Sequence, residues 1–282
     1  MHRSVFLEES IRELHIKPQG KYIDGTFGEG GHSNAILAAG GIVLGIEADA
    51  LQHQKHVNSS IKVVHGNFRN IEKIAKENNF YPVDGILLDL GLSMEQLNLS
   101  RRGFSYRRPE EPLDMRIEDS DITAAEILQK SEIDELKLIL VKYSEDQFAE
   151  AIAQEVVATR NRTPYTTVAD LTGAIRRVLA NRGIEHEQTI EKTYARIFQA
   201  LRIYVNDEFN SLKEALEGAI TLLSPGGRIV VISFHSLEDR IVKLFSRERS
   251  EEIKHMRIEV AHERLLQKFE RSAQLRVLEK LK

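Results

Sequence analysis

Three carboxylates and a run of glycines are spaced as a small-molecule site would need them. Tyr22-Ile-Asp24-Gly25-Thr-Phe-Gly28-Glu-Gly30-Gly31-His32 puts an acid four residues ahead of Gly28 and more glycines just before a helical pattern. Glycines let a backbone approach a ligand closely, and a helix N-terminus offers free N–H groups. Glu47 ends the next apolar run, about where a carboxylate grips both ribose hydroxyls. Asp89 ends the run Leu87-Leu88-Asp89-Leu90-Gly91, and Gly66-Asn67-Phe68 supplies a ring that either faces an adenine or packs in the core. His32 either touches the ligand or caps the helix. The acids discriminate between cofactors. A pyrophosphate would be repelled by Asp24 and Glu29. S-adenosylmethionine has no phosphate, and its ammonium suits Asp24 while its carboxylate suits the Gly30 and Gly31 amides. It is therefore the expected cofactor, with a nicotinamide-dependent dehydrogenase as the weaker alternative.

These residues need a parallel sheet to hold them. Lys21–Asp24, Ile42–Glu47, Ile61–His65 and Asp84–Asp89 read as strands, with helices expected over 32–39, 50–56 and 68–78. Such alternation implies α/β architecture, with helices on both faces of the sheet and ligands at the strands' C-terminal ends. Residues 98–118 are polar, Arg-rich and interrupted by Pro109 and Pro112, and read as a long loop. Helices are expected over 122–129, 132–142, 145–160, 166–180 and 190–222, a turn at Ser224-Pro-Gly-Gly227, and a strand at Arg228–Ser233. A helix over 236–247, an ambiguous strand near 256–260 and a last strand at Ala273–Leu278 complete the pattern. The expected organisation is a first part of the sheet domain over 1–108, an inserted helical domain over 109–201 that faces the substrate, and a second part over 202–282.

The chain has 282 residues, 41% hydrophobic and 29% charged, as an ordinary globular protein does. No apolar run nears the roughly 20 residues that span a bilayer. Met-His-Arg-Ser leads into a polar amphipathic stretch without a secretory pattern, so a cytoplasmic location and no membrane partner are expected. The absence of cysteine excludes disulfides, thiolate metal sites and thiol nucleophiles. His53 and His56 have helix spacing but no third ligand nearby, so no metal is expected. Net charge is −4, yet residues 228–282 hold 13 Lys+Arg against 9 Asp+Glu. Arg101-Arg102-Gly-Phe104-Ser-Tyr106-Arg107-Arg108 interleaves arginines with aromatics, which suits either a solvated surface or backbone contact with base stacking on RNA.

Six motifs occur in order: Asp24-Gly-Thr-Phe-Gly-Glu-Gly-Gly-His-Ser33, Asp84-Gly-Ile-Leu-Leu-Asp-Leu-Gly91, Arg102-Gly-Phe-Ser105, Pro112-Leu-Asp-Met-Arg116, Phe198-Gln-Ala-Leu-Arg-Ile203 and Ile232-Ser-Phe-His-Ser-Leu-Glu-Asp-Arg240. With them the chain resembles the ribosomal RNA small subunit methyltransferase H family over nearly its whole length. The resemblance implies a Rossmann-like seven-stranded methyltransferase sheet with an inserted all-helical domain. It implies methyl transfer from S-adenosylmethionine to the exocyclic N4 of a cytidine in the decoding region of 16S ribosomal RNA. It implies cofactor contacts at Gly30, Gly31, His32, Glu47, Phe68, Asp89 and Gln96, joined by Asp24 and Gly28 of the glycine loop. The partner would be small-subunit ribosomal RNA or the assembled small subunit, met by a monomer or a homodimer. Two departures stand out. Glu47 replaces the usual aspartate, and Lys192-Thr-Tyr-Ala-Arg196 replaces His-Pro-Ala-Thr-Arg, which leaves a non-catalytic assembly factor as an alternative.

A cytosine N4 lone pair is delocalised into the ring. It must be held about 3 Å from the methyl donor, and an acceptor for its hydrogens localises the pair and receives the proton. The candidates for that acceptor are Asp89, Asp114, Ser233 and His235. Asp114 has an ion pair with Arg116 as its other reading, and His235 a capping role. Arg102, Arg116, Arg196 and Arg202 are the candidates for RNA contact. Lack of cysteine also closes the covalent route by which carbon-5 methylation of cytosine ordinarily proceeds.

Overall fold

The computed structural model describes residues 4–92, 96–97, 100–118, 122–259 and 272–282. In chain order its elements are α1 (Leu7–Leu14), β1 (Lys21–Asp24), α2 (Gly31–Ala38), β2 (Ile42–Glu47), α3 (Ala50–Lys55), β3 (Lys62–His65), a 3-10 turn (Phe68–Asn70), α4 (Ile71–Glu77) and β4 (Val83–Asp89). Then come α5 (Ala124–Lys130), α6 (Ile133–Ser144), α7 (Ala149–Thr159), α8 (Val168–Ala180), α9 (Glu187–Val205) and α10 (Glu208–Leu222). The chain finishes with β5 (Leu223–Ser233), α11 (Ser236–Glu248), β6 (Ile253–Ile258) and β7 (Gln274–Lys280). They form two compact units, one of Met1–Ser93 with Phe209–Lys282 and one of Met94–Glu208.

The first unit is a seven-stranded sheet ordered β3-β2-β1-β4-β5-β7-β6. The first five strands run parallel, and β7 is antiparallel to both its neighbours. Its central strands are near-continuous apolar runs because both faces are covered. Their period-2 alternation sends Ile86, Leu88, Ile229 and Val231 into one layer with Ile71, Leu216, Val242 and Phe245 from the helices. Leu87, Val230 and Ile232 go to the other layer, with Leu14 and Ile36. The strand order reverses between β1 and β4, so their C-terminal ends open the crevice in which this architecture binds ligands.

In the second unit, α6 packs on α7 and α9, and α8 packs on both α7 and α9. Leu136, Ile139, Leu140, Ile152, Val156, Leu171, Ile175, Ile197 and Leu201 are its buried side chains. The unit begins earlier than residue 109. Gly103 N donates to Glu111 Oε2 at 3.0 Å and Met115 N to Arg102 O at 2.7 Å, tying the Arg-rich stretch to the segment around Glu111 and Met115.

Three local expectations are corrected. The helix expected over 190–222 is two helices, because Asn206 caps α9 and Asp207 takes φ 47°. The Asn206 side chain leaves the helix to bind Met115 O and Ile117 N, at 2.8 Å each. Ser224-Pro-Gly-Gly227 lies inside β5 rather than ahead of it. Leu223 already pairs with Val83, so the run bulges out before pairing resumes at Gly85↔Arg228. The ambiguous strand lies at Ile253–Ile258; residue 260 is outside the described set.

Candidate active site

The loop after β1 builds one wall. Gly30 takes φ 75° as the N-cap of α2, where a side chain would be strained and a Cβ would stand 2.8 Å from Phe27 Cζ. It gives α2 no side-chain cap, so the N–H groups of Gly31 and His32 keep the unsatisfied character of a helix start. Gly28 N donates to Glu47 Oε2 at 2.8 Å and His56 Nε2 meets Gly28 O at 3.0 Å, which fixes the loop over β2.

Carboxylates crowd the strand ends, and among the described residues no Lys or Arg side chain pairs with Asp24, Glu47 or Asp89. Asp24 is buried and accepts Ser33 Oγ at 2.7 Å and Thr26 N at 3.2 Å. Burial raises its pKa, and the neighbouring His32 and Ser33 offset only part of that. Glu47 is buried too, and burial raises it, while Gly28 N and Asp49 N, each at 2.8 Å, pull the other way. Each Glu47 oxygen keeps a second lone pair for a diol. Asp89 sits two residues beyond Leu87, the register partner of Asp24, with its side chain 22% exposed. Burial pushes Asp89 up to about 6; His32 and Gly91 oppose this, and the charges of Asp24 and Glu238 add to it. His32 is buried with Nε2 3.1 Å from Val5 O and Nδ1 3.9 Å from Asp89 Oδ2, which leaves the ring between the two acids. Phe68 packs, partly exposed, against the core layer just after β3.

The far wall comes from the β5–α11 corner. Ser233 is buried at the end of β5. The Phe234 ring lies against Gly91, where a Cβ would come within 2.6 Å of it. His235 is the N-cap of α11: its Nδ1 accepts from Glu238 N at 3.4 Å, while Glu238 Oε2 accepts from Phe234 N at 2.8 Å. His235 Nε2 is 3.0 Å from Glu238 Oε1 but is not aligned for a hydrogen bond. The capping role therefore occupies the face of this ring that a base would need.

The remaining candidates lie in the helical unit, and most are tied internally. Arg116 grips Asp114 through Nε at 2.7 Å and Nη2 at 3.0 Å. Burial raises Asp114, but those bonds outweigh it and hold the carboxyl below its ordinary range. Arg102 donates to Arg116 O at 2.8 Å and Ile117 O at 3.1 Å. Arg202 makes a two-point pair with Glu208 at 2.7 and 2.9 Å. Arg196 is the exception, 53% exposed and 3.5 Å from buried Asp146. Gln96 accepts Ser100 Oγ on its carbonyl at 2.6 Å. Phe104 is buried, and Tyr106 stacks near Tyr194 and Phe198, at 5.6 and 6.2 Å between ring centres. Neither aromatic of the Arg-rich stretch is left as a free stacking platform.

Sequence reasoning overlooked Thr26, whose Oγ1 accepts Asp89 N at 2.7 Å, along with the Ser33 bond to Asp24 and the charge of Glu238 beside Asp89. The Glu238 signal was present as a capping-box spacing, acid three residues after the cap.

Comparison with known proteins gives a consistent result. The family model described as the MraW methylase family matches residues 1–279. A relative named ribosomal RNA small subunit methyltransferase H from Shewanella oneidensis is 41% identical over 259 residues, covering 89% of this chain and 81% of its own length. One of the same name from Dehalococcoides mccartyi is 44% identical over 255 residues, covering 86% of this chain and 70% of its own. A solved rRNA methylase from Streptococcus thermophilus superposes over 100% of this chain and 99% of its own at 10% identity, with a TM-score of 0.45.

Proposed function

Since the chain belongs to the MraW methylase family, we propose that it methylates the exocyclic N4 of a cytidine in the decoding region of small-subunit (16S) ribosomal RNA. It is a methyltransferase, and S-adenosylmethionine is its cofactor. The observation that carries the reading is the set of buried acids at the strand ends beside an uncapped helix start. That donor set fits the cofactor. The Gly31 and His32 amides would hold its carboxylate, Asp24 and Asp89 its positive groups, Glu47 its ribose hydroxyls and Phe68 its adenine. A pyrophosphate would face repulsion from the same acids, so the dehydrogenase alternative has no support here.

When bound, the cofactor supplies an activated methyl group on a sulfonium. The chain's own residues must then hold the amino nitrogen and take up its proton. Asp89 is the acceptor best suited to this, because its carboxylate is partly exposed at the crevice and has no Lys or Arg clamped to it among the described residues. Asp114 is clamped by Arg116, Ser233 is buried, and His235 caps a helix. Thr26 holds the Asp89 backbone and so fixes the carboxylate's origin. The raised pKa lets Asp89 take a proton near neutrality. The helical unit is the proposed RNA-docking part of the enzyme, with Arg196 as its most accessible RNA candidate.

The substrate is ribosomal, so the enzyme is placed in the cytoplasm. Among the described residues no helix is long and apolar enough to cross a membrane. Mass spectrometry of small-subunit RNA from a strain lacking the gene tests the reading. Loss of one cytidine methyl group is the expected result, and an unchanged modification pattern rules it out.

A further inference from the structure

Four of the C-terminal cations, Arg240, Lys243, Arg247 and Arg257, lie outside the strand-end site and on one surface. At 3.6 residues per turn, Ser236, Arg240, Lys243 and Arg247 of α11 fall within about 60° of arc. All four are exposed. The opposite side of the helix, Leu237, Val242 and Phe245, is buried against the sheet. Arg257 of β6 is exposed on the same side of the sheet, two pleats along from Ile253, which shares a core layer with Val242. The charges of Arg257 and Lys243 both act on the Asp239 carboxylate, so the two cations border one point.

Acids on the same helix point elsewhere. Asp239 is turned to Arg276 at 2.5 and 2.8 Å, and Glu238 is buried under the Phe234–His235 corner. Glu248 projects about 100° away from Arg247. Among the described residues Lys243, Arg247 and Arg257 have no ion-pair partner. Some exposed cations elsewhere are paired, as Lys76 is with Glu72, Lys130 with Glu126, Arg176 with Glu187 and Arg177 with Glu155. Others, such as Lys62 and Lys213, stand singly among the described residues; on α11 the cations fall in one line. The line also has a direction. It begins three residues beyond Ser233, at the end of the sheet that carries Asp89, and runs about 16 Å along the helix.

We infer that the Arg240–Lys243–Arg247 face of α11, with Arg257 beside it, is a track for the phosphate backbone of the RNA substrate, leading one strand to the strand-end site. The inference rests on the RNA-methyltransferase reading and adds a binding surface to it. Spaced, exposed cations suit a polyanion with regular charges. A membrane surface is a poor match because the helix's apolar side is already buried.

The triple variant Arg240→Ala, Lys243→Ala, Arg247→Ala tests the track, since alanine favours the exposed helix and removes no buried group. Methyl transfer to small ribosomal subunits from a strain lacking the enzyme would be followed against salt, with Lys73→Ala, Lys76→Ala as the control. The expected outcome is a KM for subunits raised tenfold or more, kcat within about twofold, and unchanged cofactor affinity by calorimetry. The slope of log KM against log salt should fall by about 2, as loss of three single-strand phosphate contacts requires. Wild-type KM and salt slope in the triple variant would overturn the track while leaving the methyltransferase intact. A wild-type enzyme that transfers no methyl group to any small-subunit RNA removes the underlying reading, and the track with it. Equal loss in triple variant and control marks a general charge effect and also overturns it.

Discussion

The two units use charge in opposite ways. In the sheet unit, Asp24, Glu47 and Asp89 are buried or nearly so and are held by amides and hydroxyls, with no Lys or Arg clamped to them among the described residues. Their pKa values are raised, which means the fold bears a cost to keep them ionised. In the helical unit Arg116 holds Asp114 and Arg202 holds Glu208, while the half-buried Asp170 accepts from the amides and hydroxyls of Thr166 and Thr167. Asp114 and Asp170 are correspondingly lowered. An unneutralised buried acid is poised for a cationic ligand or a proton, whereas a neutralised one stabilises its surroundings. The same distinction separates the arginines of the 101–116 region, several of them tied inward, from Lys243 and Arg247 on α11, which have no ion-pair partner among the described residues.

Replacing Asp89 should break the comparison most sharply. Asp89→Asn is expected to lower kcat by roughly 10²–10⁴-fold, yet to leave thermal stability at pH 8 equal or higher, because a buried charge is removed. A methyl-transfer assay beside a melting curve checks both; a large loss of stability would mean that Asp89 is structural. The mirror experiment is Arg202→Ala. It should cost about 3 kcal/mol, measured by denaturant unfolding, because Glu208 loses a two-point partner with both side chains about one-sixth exposed.

The pH dependence sharpens the contrast next. With Asp89 titrating at about 6, kcat/KM should fall roughly tenfold per pH unit below that value as the acceptor fills. Stability moves the other way. The folded pKa lies above the ordinary carboxylate value near ~3.9, so the protonated form favours the fold. The Asp89 contribution to stability is therefore greatest below about pH 4 and declines as pH rises to about 6. Asp114, lowered by Arg116, contributes with the opposite sign, and its stabilisation is lost as pH falls through its depressed pKa. Unfolding curves of wild type and D89N between about pH 2 and 8 separate the two contributions, Asp89 acting above about pH 4 and Asp114 below it. The smallest effect expected is that of Arg196→Ala: its half-exposed guanidinium lies at a long 3.5 Å from buried Asp146, which Phe148 N already holds, so the loss should be no more than about 1 kcal/mol. A larger loss would show that pairs in the helical unit are worth more than their exposure suggests.

Much of this was legible because it is local. Strand ends at Asp24, Glu47 and Asp89 follow from where apolar runs stop, and the glycine loop from its composition. The break at Asn206–Asp207 was not legible, since helical periodicity continues through it and the cause is a bond to Met115 ninety-one residues away. The Ser224–Gly227 bulge was hidden for a similar reason: a turn-like run becomes part of a strand only because Leu223 finds Val83. Tyr106 beside four arginines reads as a stacking platform, whereas in the fold its ring is half-buried against Tyr194 and Phe198.

The amino-acid sequence by itself determined the alternating α/β order, the acids and glycines at the strand ends, the family motifs and the exclusion of thiol chemistry. Each of these depends on residue type and short-range spacing. The tertiary structure alone decided which charges are neutralised. Arg276 of β7 reaches Asp239 of α11, Arg228 reaches Glu279, and Asp89 keeps no Lys or Arg among the described residues, because partner choice is set by geometry between segments distant in the chain. Composition counts a charge, but the fold decides whether it is balanced, and only an unbalanced one is left to act on a ligand.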